Sequence, residues 1–166
     1  MNNAKHTPRK SSTKLLGLAL GLAIALLLAL NWSQWSRTIR YRLTGAVKVD
    51  GLSVCMNPND RFITPIMLRT GTWEPTETEA LRRQLRPGDT FIDVGAYTGY
   101  YTAIASKLVG PDGHVIAFEP DPDNFAILKR TVETNNLKNV TLEQRALSNV
   151  PVSYTHLTLP TIVREW

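Results

Sequence analysis

The sequence predicts an α/β chain: the first three strands of a parallel sheet joined by helical crossovers, preceded by an apolar N-terminal helix. Three observations predict it. Residues 15–30 are sixteen consecutive Leu, Ala, Gly and Ile residues. Beyond them, short β-branched runs alternate with amphipathic stretches. A glycine turn, Gly95-Ala96-Tyr97-Thr98-Gly99, joins the first such run to a helical pattern, as at the start of a β-α-β unit.

The apolar run opens after Lys14 and closes at Asn31-Trp32. A bilayer core takes about 20 apolar residues and a signal-peptide core about 7–15, so sixteen falls between the two. The nearest small-x-small site, Ala29-Leu30-Asn31, is poor, which favours an uncleaved transmembrane anchor over residues 15–32 behind a basic tail, 1–14. Trp32, Trp35, Ile39 and Leu43 then recur at helical spacing with Arg37 and Arg40 between them. That pattern reads as an interfacial continuation, with a solvated linker as the alternative. Four basic residues precede the span and three follow it closely, so charge does not fix its orientation.

Residues 1–44 hold seven Lys and Arg and no acid, leaving twelve bases against fourteen acids in the rest. The basic character therefore belongs to the N-terminal end, and no nucleic-acid partner is expected for the nearly neutral body. Cys55 is the single cysteine, which excludes a disulfide framework and any zinc site of several thiolates; no metal site is expected. With no acid or histidine near it in sequence, Cys55 reads as a packed residue and not as a nucleophile.

A lead-in segment, 33–72, follows the span. Within it, Val47 to Val54 reads as a hairpin turning at Asp50-Gly51, and Arg61 to Arg69, interrupted by Pro65, is assigned only loosely. Thr76 and Glu79 stand at capping-box spacing ahead of Ala80, Leu81 and Leu85, predicting a helix from Thr76 to Arg86 that Pro87-Gly88-Asp89 ends. Thr90 to Val94 is a buried-strand pattern, and the helix after the glycine turn runs to Leu108. Gly110-Pro111-Asp112-Gly113 is a turn. His114 to Phe118 is a second strand, Asp123 to Asn135 a helix with Phe125, Leu128 and Val132 on one face, and Asn139 to Gln144 a third strand. This is the opening half of a Rossmann-like fold. Three such strands leave one edge open and one core face uncovered.

In open α/β sheets, ligands bind where strand carboxyl ends meet helix N-termini. Two such ends carry unusual residues here. Asp93 precedes Gly95 and Gly99, whose turn brings backbone close to a ligand and feeds N–H groups able to hold a carboxylate or phosphate. Glu119, twenty-four residues past Gly95, stands where an acid accepts ribose hydroxyls; otherwise it sits solvated on the surface. The glycine that a pyrophosphate requires two residues after Gly95 is absent. That favours a nucleoside without phosphates, and S-adenosylmethionine fits it.

The stretch from Gly88 to Thr102, with Asp93-Val94-Gly95-Ala96-Tyr97-Thr98-Gly99-Tyr100-Tyr101-Thr102 at its heart, then Val115-Ile116-Ala117-Phe118-Glu119-Pro120 and Asn139 to Asn149, resembles the FkbM-type branch of class I S-adenosylmethionine-dependent methyltransferases over about residues 73–150. The resemblance implies a cofactor site in which Asp93, Gly95, Ala96, Tyr97 and Gly99 frame the methionine end and Glu119 the ribose. It also implies O-methylation of a hydroxyl on a sugar or related metabolite. Two departures stand out. Tyr97 occupies a position where the branch commonly has Asn, and no acid near Gln144-Arg145-Ala146 corresponds to the one that meets adenine. No catalytic base is assigned.

Residues 152–161 do not continue the family pattern and resemble the translation of a transposase sequencing adapter, so the native sequence is expected to end near Pro151, with 151–166 foreign and the fragment itself inactive. Supply of the cofactor favours the cytoplasmic face of a single-pass membrane protein. A nucleotide- or NAD-dependent oxidoreductase and a non-enzymatic membrane-tethered scaffold are the alternative readings.

Overall fold

The computed structural model describes residues 10–147. The tail at 151–166 lies outside them, as do residues 1–9.

The N-terminal run forms α1 (Lys10–Leu30), followed by α2 (Trp32–Thr44). The expected single span over 15–32 is broken. The Asn31 side-chain amide bonds its own helix at the Leu27 carbonyl, 2.9 Å away, and the axis bends by 63°. The Asn31 N–H shares that carbonyl at 3.2 Å, and Asn31 itself leaves helical geometry, at φ −102° and ψ 6°, which accounts for a kink of this kind. Among the described residues no single helix is long and apolar enough to cross a membrane, although the bent pair passes by length and composition. Every residue from Leu16 to Trp35 is exposed.

Gly45, at φ +69°, caps α2 through its N–H to the Tyr41 carbonyl. The predicted hairpin follows as β1 (Ala46–Val49) and β2 (Leu52–Cys55), antiparallel about Asp50-Gly51. The loosely assigned segment contains a helix, α3 (Ile63–Thr70). Its missed start signal is Asp60, whose carboxylate accepts the N–H groups of Phe62, Ile63 and Thr64, with Pro65 tolerated in the first turn.

The next helix, α4, runs from Pro75 to Gln84, and the capping box expected of Thr76 and Glu79 does not form. Glu74, at φ +40°, takes the N-cap place with no side-chain cap, and Pro75 starts the helix. Thr78 is instead buried, with its hydroxyl on the Trp73 carbonyl and the Tyr100 hydroxyl. Burial outweighed the local capping pattern.

Then come β3 (Thr90–Val94), α5 (Tyr100–Val109), β4 (His114–Phe118), α6 (Pro122–Thr134) and β5 (Val140–Glu143). The three strands form one parallel sheet with β4 at its centre. Phe91 and Asp93 turn toward α5, where Phe91 joins the cluster of Ala105, Val109 and Val115. Ile92 and Val94 alternate to the other face and are exposed, as a parallel sheet covered on one face requires.

The lead-in is part of the same folded unit. Val47, Val49, Val54 and Met56 pack with Met67, Tyr100, Ala103 and Ile104 in one core. Backbone bonds fasten the hairpin to α6: Cys55 N–H to the Thr131 hydroxyl and Ser53 N–H to the Asn135 side chain. Cys55 is buried and unpaired in any disulfide, as its packed reading expects.

Candidate functional site

The site stands at the carboxyl ends of β3 and β4. Register pairs Asp93 with Ala117 and Val94 with Phe118, so the glycine turn and Glu119 emerge side by side. They also bond. Glu119 Oε2 accepts the Tyr97 N–H at 2.8 Å and Oε1 the Asp121 N–H at 3.1 Å. At 6% exposure Glu119 is buried, not the solvated surface acid of the alternative reading. Among the described residues no Lys or Arg pairs with it. A buried carboxylate is held here by backbone N–H groups, and each of its oxygens keeps a second lone-pair direction for a hydroxyl donor.

The turn differs in detail from the expected anion cradle. The N–H groups of Gly95 and Ala96 both bond the Phe118 carbonyl at 2.9 Å, and the Gly99 N–H bonds the Ala96 carbonyl at 2.8 Å. With Tyr97 on Glu119, these four donors are spent inside the protein. A pyrophosphate would find none of them free, which agrees with the missing glycine.

The two glycines do different work. A Cβ at Gly95 would meet nothing within 4 Å, and the residue sits at φ +77°; it leaves open space over the site. A Cβ at Gly99 would come within 2.7 Å of Leu128 Cδ1, at φ +87°. Gly99 is therefore required by the approach of α6. This packing requirement stands beside its expected place at the methionine end of the turn. Ala96 is buried in that same cluster with Ala117 and Leu128.

Asp93 is 6% exposed, and its Oδ2 accepts the Thr102 hydroxyl at 2.5 Å. Burial raises its pKa above the ordinary carboxylate value, the Thr102 hydroxyl and N–H partly offset that, and the Glu119 charge adds to it. It underpins the turn from the α5 side.

Tyr97 adopts φ +51°, a left-handed conformation costly for a side chain of this size and easier for the Asn of the resembled branch. Burial first, then the carboxylates of Asp60 and Glu119, push its hydroxyl up to about 12. Asp60 is a site neighbour that the sequence reading missed. Burial alone would raise its pKa, but the N–H groups of Phe62, Thr64 and Ile63 outweigh burial and hold it below the usual value. Asn57 extends this wall by bonding the Asn124 side chain of α6 at 3.2 Å. The surroundings of Tyr97 are thus anionic, with Asp60, Glu119 and Asp121 all acting on it.

At the tip of β5, Glu143 supplies an acid one residue before the stretch where none was found. Its carbonyl accepts the Glu119 N–H at 3.1 Å, and its carboxylate pairs with Arg145 at 3.2 Å. The Arg145 guanidinium lies 5.8 Å from the centre of the Phe118 ring.

Compared with known proteins, residues 74–145 match the model of the protein-L-isoaspartate(D-aspartate) O-methyltransferase family. An arsenite methyltransferase of Halobacterium salinarum is 32% identical over 69 residues, 42% of this chain and 18% of that protein. A protein-L-isoaspartate O-methyltransferase of Methanothrix thermoacetophila is 36% identical over 58 residues, 35% of this chain and 28% of the relative. A protein described as a probable cobalt-precorrin-6B C(15)-methyltransferase of Sulfurisphaera tokodaii is 39% identical over 85 residues, 51% of this chain and 44% of the relative. The chain spans less than half the length of each of these relatives. The matched region and its topology are those of a class I S-adenosylmethionine-dependent methyltransferase, and S-adenosylmethionine is its cofactor. The matched names point away from the FkbM branch and from sugar hydroxyls.

Proposed function

We propose that this chain carries the cofactor-binding part of a methyltransferase that works at a membrane and transfers a methyl group to a hydroxyl oxygen of a sugar or related metabolite. The observation that carries the cofactor half of this reading is the bond between Glu119 and the Tyr97 N–H, which joins the two sequence marks of a nucleoside site into one wall. S-adenosylmethionine supplies an electrophilic methyl group on a positively charged sulfur. The residues present fit such a ligand. Glu119 offers two carboxylate oxygens to a ribose, Gly95 leaves open space beside it, and the carboxylates of Asp60, Glu119 and Asp121 set a negative field. An anionic wall favours a cationic ligand over the dianionic pyrophosphate of a dinucleotide, which argues against the oxidoreductase alternative. Buried residues that position a ligand without moving also supply the alignment on which a displacement reaction depends.

The hydroxyl acceptor rests on the FkbM-type resemblance of the turn, Asp93 to Thr102. A second reading, methylation of a carboxylate such as isoaspartate, is favoured by the family match over residues 74–145. Product chemistry separates them. Incubation of the whole methyltransferase that carries this chain with tritiated S-adenosylmethionine and candidate acceptors should give label that survives mild alkali, as an ether does. Label released as methanol by alkali would mark an ester and favour the carboxylate reading. No transfer to either class, together with no binding of S-adenosylhomocysteine, would favour the scaffold.

The membrane part rests on α1. Sixteen consecutive apolar residues, exposed from Leu16 onward, form a far larger apolar surface than a soluble unit ordinarily leaves in water. Seating α1 in the lipid, with the methyltransferase unit on the cytoplasmic face where its cofactor is made, covers that surface. Protease protection of the hairpin and α6 in sealed vesicles tests the side.

A further inference from the structure

We propose that α2 is an in-plane docking helix that seats the methyltransferase unit on a bilayer surface carrying anionic headgroups. The inference rests on the membrane reading of α1 and adds to it the surface, the orientation and the lipid charge.

At 100° per residue, Trp32, Trp35, Ile39 and Leu43 fall within an arc of about 80°. All four are between 54% and 80% exposed. The opposite side of the helix is the one that packs. Tyr41 joins the core of the folded unit, and Arg37 donates from Nε to the Leu68 carbonyl at 2.9 Å and from its terminal nitrogen to the Arg69 carbonyl. Those carbonyls belong to the last turn of α3, which Arg37 closes. The apolar stripe therefore points directly away from the unit, and α2 is fixed in that orientation by side chains at both of its halves.

Arg40 and Arg42 flank the stripe, about 100° to one side of its centre and about 60° to the other, and both are exposed. No acid occurs anywhere in residues 1–44. An apolar stripe edged on both sides by arginines matches a bilayer surface, where rings sit at headgroup depth and guanidinium groups meet phosphate. The same edging disfavours a second copy of this chain, because a two-fold pairing of stripes would bring arginines against arginines with nothing to neutralise them.

The bend at Asn31 completes the geometry. With α2 lying flat, a 63° bend lets α1 leave the surface at as little as about 27° from the bilayer normal, inside the range that spanning helices adopt. One elbow thus serves both an inserted and an in-plane helix, which a straight helix of the same sequence could not do.

The test uses the full chain in vesicles of phosphatidylcholine with 30% phosphatidylglycerol, with a nitroxide label on one introduced cysteine at a time: Leu22→Cys in α1, Ile39→Cys and Leu43→Cys on the stripe, and Lys48→Cys on the hairpin. Buried Cys55 stays in place and is shielded from the label. Labels at 39 and 43 should collide with lipid-dissolved oxygen and be protected from a water-soluble nickel chelate at shallow depth, while the label at 48 stays in water. Replacing both Arg40 and Arg42 by Gln should reduce that protection to the level seen in pure phosphatidylcholine. If the label at 22 is deep in lipid but those at 39 and 43 are as chelate-accessible as that at 48, the docking role of α2 is wrong and the α1 reading stands. A label at 22 in water would sink both. Spin–spin broadening at 39 and 43 without oxygen contact would put a second copy on the stripe and overturn the proposal, as would equal protection in neutral and anionic vesicles.

Discussion

Replacing Glu119 perturbs both sides of the candidate site at once. In the structure its oxygens take the N–H groups of Tyr97 and Asp121, at 2.8 and 3.1 Å, and the side chain is almost wholly buried. Glu119→Ala leaves two donors without acceptors, at about 1–3 kcal/mol each, so it should destabilise the fold as well as weaken cofactor binding. Glu119→Gln is the cleaner variant. It keeps the side-chain length and one acceptor oxygen, and removes the charge that strengthens hydrogen bonds to ribose hydroxyls. Charge-assisted bonds contribute about 1.5–3 kcal/mol, so the affinity for S-adenosylhomocysteine should fall by roughly 10- to 100-fold. Calorimetric titration measures that fall, and urea unfolding of both variants separates it from loss of fold. Wild-type affinity in a folded Glu119→Gln protein would refute the assignment of this carboxylate to the nucleoside.

The two glycines should behave differently: Gly99→Ala, driven into Leu128 at positive φ, should cost about 2–4 kcal/mol. Gly95→Ala, strained only in its backbone, should cost about 1 kcal/mol yet reduce cofactor affinity more, and urea unfolding giving equal losses would contradict the open cradle. Asp93→Asn tests the buried acid. Because the folded state raises the Asp93 pKa, its stability contribution is full below the ordinary carboxylate value and is lost as pH rises through the folded value. The Asn variant should therefore gain in Tm relative to the parent between pH 3 and pH 7, and a difference constant with pH would show that Asp93 does not titrate as described. Tyr97 has the same sign, being held at about 12. Ultraviolet titration should show that Tyr97→Phe removes one phenol ionising well above pH 10, and removal of an ordinary phenol instead would displace Tyr97 from its anionic surroundings. Arg37→Ala frees two carbonyls at the end of α3; hydrogen exchange at Leu68 to Gly71 should accelerate severalfold, and unchanged exchange would mean that α2 is not tied there.

The strands were the most legible elements. Thr90 to Val94 and His114 to Phe118 were bounded correctly because parallel strands are written as short apolar runs between turns, even where one face is exposed, as at Ile92 and Val94. The hairpin was legible from Asp50-Gly51. Patterns that depend on partners distant in sequence read less well. The Thr76–Glu79 capping box is a local signal, but Thr78 is claimed by Tyr100, twenty-two residues on, and the helix starts from Pro75 instead. The capping role of Asp60 is local, on N–H groups two to four residues on, and was masked by Pro65 inside the helix that it starts; its charge at Tyr97 arises only once the lead-in folds back over the turn. Gly95 and Gly99 look alike in sequence, and only the position of Leu128 tells them apart. The bend at Asn31 was hidden for a different reason: sixteen apolar residues carry a strong helical signal, and the single polar side chain that interrupts the axis stands just outside them.

The central claim is that a nucleoside binds between the turn after β3 and the tip of β4. Amide resonances of the isotope-labelled chain, titrated with S-adenosylhomocysteine and separately with NAD, test it most directly. The account predicts saturable shifts centred on Gly95, Tyr97 and Asp121 with the first ligand and none with the second. Shifts scattered away from those residues, or the same shifts with NAD, would contradict it.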